Sequence, residues 1–130
     1  MNKKLQEKLF KKYPKIFRQK TIKSSPIYNG IQCEDGWFDL VDAACESISQ
    51  HIKFENKKID ERFKKKITLI PSRHSQKLTF EFSQIKSKFD RLRFYFDGGD
   101  DYTFGVTSMA EIMSLKICEH CGIHKLSEAG

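Results

Sequence analysis

The chain has 130 residues, 24 Lys/Arg against 17 Asp/Glu, a net charge of +7, and 38% hydrophobic residues that include eleven phenylalanines. That composition suits one domain over residues 1–130 with an aromatic core, and the apolar periodicity that runs through it argues against wholesale disorder. No run approaches the ~18 apolar residues that cross a bilayer. The start Met1-Asn-Lys-Lys-Leu-Gln-Glu has no apolar signal stretch, so a soluble cytoplasmic protein with reduced or metal-bound cysteines is expected.

The first element is a helix with Leu5, Leu9, Phe10 and Tyr13 on one face, ended or bent by Pro14. Ile16 and Phe17 extend its apolar surface, Thr21 to Pro26 reads as a loop, and Tyr28 to Cys33 as a short extended piece. Asp35-Gly36 then opens the clearest helix, with Asp35 as its expected N-cap and Trp37, Leu40, Val41, Ala44, Cys45, Ile48 and Ile52 on its buried stripe. Lys53 to Lys66 is charged and weakly periodic, a helix or a long basic loop, with Phe54, Ile59 and Phe63 as possible buried positions. Ile67 to Ile70 reads as a strand and Ser72 to Gln76 as a polar loop.

Leu78, Phe80 and Phe82 alternate with polar residues, and so do Leu92, Phe94 and Phe96, which predicts two half-buried strands. A last helix follows, with Val106, Met109, Ala110, Met113 and Ile117 as its expected core stripe. The order predicts an α+β domain: a small antiparallel β-sheet with amphipathic helices packed on one face.

Charge is distributed in blocks. Residues 1–27 hold nine Lys/Arg against Glu7, residues 28–50 hold five acids and no Lys or Arg, and residues 51–79 hold nine basic groups against three acids. Such blocks predict basic and acidic faces, and phosphate is the natural partner of a basic face. One cluster comprises Lys3, Lys4, Lys11, Lys12, Lys15 and Arg18; a second comprises Lys57, Lys58, Arg62, Lys64, Lys65 and Lys66. Arg93 and Tyr95, opposite the strand's apolar side chains, offer a bidentate contact and a stacking ring to unpaired bases.

Cys118-x-x-Cys121, followed by Gly122, has the spacing of a zinc knuckle. His124 is the first candidate for a further ligand, with His120 nearby and Cys33, His51 and His74 distant. The cofactor expectation is none, or one structural zinc. Asp97, Asp100 and Asp101 in the Gly-Gly turn invite a metal-dependent nuclease reading, against which stands a strand-to-helix turn in which Asp100 or Asp101 caps the last helix. No P-loop, Gly-x-Ser-x-Gly elbow or His-Glu-x-x-His is present, which leans against an enzyme and offers no small-molecule substrate.

Taken together, Leu9-Phe-x-Lys-Tyr-Pro14 with Ile16-Phe17, Cys33-x-Asp-Gly-Trp37, Lys88-Phe89, Leu92-Arg-Phe-Tyr95, Gly98-Gly-Asp100, Ala110-Glu111 and Cys118-Glu-x-Cys-Gly122 resemble a family of small bacteriophage and prophage proteins. The chain departs from that pattern at Asp90, where glycine is usual, in Ser24 to Asn29, and in lacking the family's further C-terminal cysteine and histidine. The resemblance implies a small non-enzymatic protein that redirects host processes, an anti-CRISPR-like inhibitor foremost. Its expected partner is a host nucleoprotein effector or its guide RNA. A zinc-stabilised nucleic-acid-binding module for phage replication or transcription is the alternative, and a metal-dependent nuclease the second.

Overall fold

The computed structural model describes residues 1–64 and 76–125, apart from the side chain of Phe63. Helix α1 spans Lys3–Lys12 and α2 spans Phe38–Lys64; strands β1 (Phe80–Lys88) and β2 (Arg91–Gly98) pair as an antiparallel hairpin, and α3 covers Asp101–Ser114. The fold is the expected small α+β type. The strand expected at Ile67 to Ile70 and most of the loop after it lie outside the described residues.

Asn2 starts α1 by accepting the Lys4 amide at 2.7 Å, and the helix stops at Lys12, before Pro14. Tyr13 then turns its hydroxyl to Asp42, donating to Oδ1 at 2.7 Å, which ties the end of α1 to α2. Burial pushes the Tyr13 phenol up to about 12, and the Asp42 carboxylate adds to the effect. Ile16 and Phe17 are buried as expected.

The start of α2 departs from the sequence reading. Asp35 caps nothing; Asp35–Trp37 is a 3-10 turn, and the Asp35 carboxylate accepts the Asn2 amide at 2.6 Å. The expected Tyr28 to Cys33 extension is also partly helical, since Pro26–Asn29 forms a 3-10 turn and only Gln32 bridges to a strand. Residues 53–64, left open as helix or loop, continue α2 to Lys64. Ile59 is buried there, but Phe54 is mostly exposed. Cys45 packs in the core with Trp37, Val41 and Ile48, and Phe17, Phe82, Ile85 and Leu92 face them across the domain.

Two strands alone leave two raw edges, which are ordinarily sites of unwanted pairing. Both are covered here. On the β1 edge, Gln32 donates to Ile85 and accepts from Ser87, each at 2.9 Å, and Ile16 accepts the Phe82 amide. On the β2 edge, α3 substitutes for a third strand: Ser114 Oγ accepts the Leu92 amide at 2.9 Å and Glu111 accepts the Phe94 amide at 3.3 Å.

That task rotates α3 away from the expected stripe, although Val106 and Ile117 still pack against the core. Its buried residues are Thr103, Thr107, Ala110 and Ser114, small enough for close approach to the strand edge and to α2. Met109 and Met113, expected in the core, face outward instead, and only Ala110 of the expected stripe is fully buried. Asp100 does cap α3, in a reciprocal capping box with Thr103 at 3.0 and 2.8 Å. No helix among the described residues is long and apolar enough to cross a membrane.

Candidate nucleic-acid interface on the hairpin

The hairpin connection contains only Phe89 and Asp90, with φ of 53° and 57°. Two consecutive positive φ values match the twist of a two-residue hairpin, but for non-glycine residues they are strained. Phe89 at the tip is 87% exposed, with the Lys88 ammonium over its ring at 5.8 Å from the centroid.

Period-two alternation then sorts the strand residues. Ile85, Leu92 and Phe94 go to the core, and Lys86, Lys88, Arg91, Arg93 and Tyr95 to the other face. The register places Lys86 opposite Arg93 and Lys88 opposite Arg91. Like charges directly opposite one another are destabilising, by some tenths of a kcal/mol up to about 1 kcal/mol per pair. The Lys86 ammonium lies over the Tyr95 ring, 5.8 Å from its centroid, and Tyr95 keeps 42% of its surface open. The Arg91 and Arg93 Nε atoms are enclosed and have no hydrogen-bond partner among the described residues. Arg93 is held loosely by Glu111 at 3.9 Å. The result is an aromatic platform ringed by cations.

The α1 start belongs to the same end of the molecule, because the Met1 amine donates to Ile31, next to the Gln32 that bridges to Lys86. Lys3, Lys4, Lys11 and Lys15 are exposed and make no ion pair among the described residues. Lys12 is engaged by Asp42 at 3.2 Å and Arg18 by Glu81 at 3.6 Å. The second cluster is far away along α2: Lys57 to Lys64 lie roughly 22 to 33 Å beyond Asp42 at ~1.5 Å per residue. There Lys58 pairs with Glu55, while Arg62 and Lys58 line an open cleft of about 440 Å³ with Lys77, Gly98 and Gly99. Lys65, Lys66 and His74 lie outside the described residues.

Sequence reading found Arg93 and Tyr95 but not Lys86, Lys88, Arg91 or Phe89. The signal was present: in Lys86-Ser-Lys-Phe-Asp-Arg-Leu-Arg93, basic residues recur at every second position on both sides of a two-residue connection.

The acidic turn is structurally occupied. Asp97 accepts the Gln19 amide at 2.7 Å, and Asp100 caps α3 while meeting His51 Nε2 at 2.6 Å. Burial alone would raise the Asp100 carboxyl, but hydrogen bonds from His51 and the Thr103 amide outweigh it and hold the group below its ordinary value. The His51 ring stacks on Tyr102 at 4.1 Å, and so belongs to the α2–α3 contact.

The knuckle is docked as a unit on the Cys33–Trp37 turn. Glu119 accepts the Gly36 amide through its carbonyl at 2.6 Å, the Glu34 amide through Oε2, and the Ser87 hydroxyl through Oε1. Trp37 Nε1 donates to Ile117 at 3.0 Å. A Cβ at Gly36 would run into the carbonyl oxygens of Cys118 and Glu119, so only glycine lets the two segments meet. The amide of Cys121, with that residue's thiol and the His120 amide, draws the Cys118 thiol below its ordinary value. His124 pairs with Ile117 in a bridge behind the tip, and no three His, Cys, Asp or Glu side chains converge among the described residues. Cys118 and Cys121 would offer two of the four ligands that a structural zinc takes.

No family model, curated protein or solved structure matches the chain. Its function is argued from the chemistry of these surfaces.

Proposed function

We propose that this chain is a non-enzymatic RNA-binding protein that occupies the RNA of a host nucleic-acid-dependent complex, a guide RNA foremost, and so inhibits it. The observation that carries the reading is the outward hairpin face, where two like-charge cross-strand pairs adjoin the open ring of Tyr95. A fold selected for stability alone would place opposite charges in those registers. A phosphate seated between Lys86 and Arg93, or between Lys88 and Arg91, turns each repulsive pair into a clamp, and its released counterions favour association.

Tyr95 then stacks one unpaired base, and Phe89 is placed to take a second at the hairpin tip. Stacking needs an unpaired base, which favours single-stranded RNA over duplex. Lys3 and Lys4 extend the cationic surface at the same end. The resemblance to phage proteins supports host defence as the setting.

The test is to recover tagged protein from its host at moderate salt, with and without nuclease treatment. One defined ribonucleoprotein, released by ribonuclease, is the expected result. Heterogeneous nucleic acid shed as salt rises would mean general binding, and a partner indifferent to ribonuclease would overturn the reading.

A further inference from the structure

The outward face of α3 is the least charged helical surface among the described residues. Phe104 and Met109 are 65% exposed, Ile112 52%, Tyr102 49%, Leu115 47% and Met113 44%. Charge occurs only at the two ends, as exposed Asp101 and Lys116, because Glu111 is turned to β2. Neither terminal charge has an ion-pair partner among the described residues.

We infer that α3 is a two-fold interface between two copies of this chain. Laid antiparallel about a point between Ser108 and Met109, α3 meets its copy with Asp101 against Lys116 and Gly105 against Ile112 along the seam, Tyr102 beside Met113 on one flank, and Phe104 beside Leu115 on the other. Unlike charges meet at both ends, small residues face large ones in the middle, and the helix dipoles run in opposition.

Gly105 supplies an independent argument. A glycine inside a helix costs about 1 kcal/mol relative to alanine. A Cβ at Gly105 would meet nothing within 4 Å among the described residues, so none of them requires the glycine. A close approach from outside, by the partner's Ile112, accounts for it. The six large side chains expose roughly 600 Å², at ~200 Å² for a fully open one. A two-fold pair therefore buries at most about 1,200 Å² in total, no more than the low end for a specific interface. The dimer is accordingly one that dilution dissociates.

Sedimentation across a concentration series is expected to show twice the 15.3 kDa chain mass at the concentrated end. Met109→Glu, on an exposed position, should hold the chain at monomer mass with an unchanged circular-dichroism melt. Asp101→Lys should weaken the dimer at least tenfold, and adding Lys116→Asp should restore it. Carbodiimide coupling should join Asp101 to Lys116, which lie about 22 Å apart within one chain and so can be joined only between copies. Monomer mass at every concentration would overturn the inference, as would a dimer that survives Met109→Glu without forming the Asp101–Lys116 crosslink.

Discussion

At the scale of single residues, the hairpin tip shows most clearly a local rule broken. Asp90 sits at φ 57°, where glycine is at ease and a side chain is not. Asp90→Gly is expected to raise unfolding free energy by about 0.5–1 kcal/mol, read as a shift in the urea midpoint. A lower midpoint would contradict the strained geometry. Asp100 gives a pH signature. Its folded carboxyl titrates below the ordinary 3.8, so its contribution is complete above that value and is lost as pH falls through the folded one. Asp100→Ala should cost about 1 kcal/mol at neutral pH through the lost cap, and the difference from wild type should shrink as the medium is acidified below pH ~4. A gap that widens on acidification would contradict the assignment.

At the scale of elements, the hairpin was legible in sequence and the orientation of α3 was not. Alternation at Leu92, Phe94 and Phe96 identifies a strand and its faces together, because a period of two leaves only two choices. A helical period identifies the helix but not which side faces in. Val106, Met109, Met113 and Ile117 make a convincing apolar stripe, yet of these only Val106 and Ile117 reach the core, because the helix is rotated to bring Ser114 and Glu111 to the free amides of β2. Asp35 misled for a related reason: Asp-Gly-Trp looks like a helix start, but its glycine is there to admit the knuckle, over 80 residues away in sequence. Long-range demands of this kind leave no local periodicity. They do make a prediction. Ser114→Ala strands a buried Leu92 amide, and should destabilise the domain by about 1–3 kcal/mol in denaturant unfolding and speed hydrogen exchange at Leu92. Unchanged exchange there would mean that α3 does not close the β2 edge.

At the scale of the whole molecule, a net charge of +7 is less informative than where unbalanced charge accumulates. The root of the hairpin carries an acidic pair, Glu81 opposite Asp97, which Gln19 bridges by donating to both carboxylates and Arg18 partly neutralises at Glu81. Its outer half carries two basic pairs with Glu111 as their only acidic contact among the described residues. Balanced acids at one end and crowded cations at the other give the molecule a direction, with Tyr95 and Phe89 at the cationic end. The most direct test is fluorescence anisotropy of a short single-stranded RNA titrated with the protein over a range of salt concentrations. Wild type should bind with an affinity that falls linearly on a log–log plot against salt. The Lys86→Gln/Arg91→Gln pair should flatten that slope by about 1.4, at ~0.7 per lost phosphate contact. Tyr95→Ala should weaken binding roughly tenfold without changing the slope. Binding that is unaffected by these substitutions, or no binding at low salt, would contradict the account.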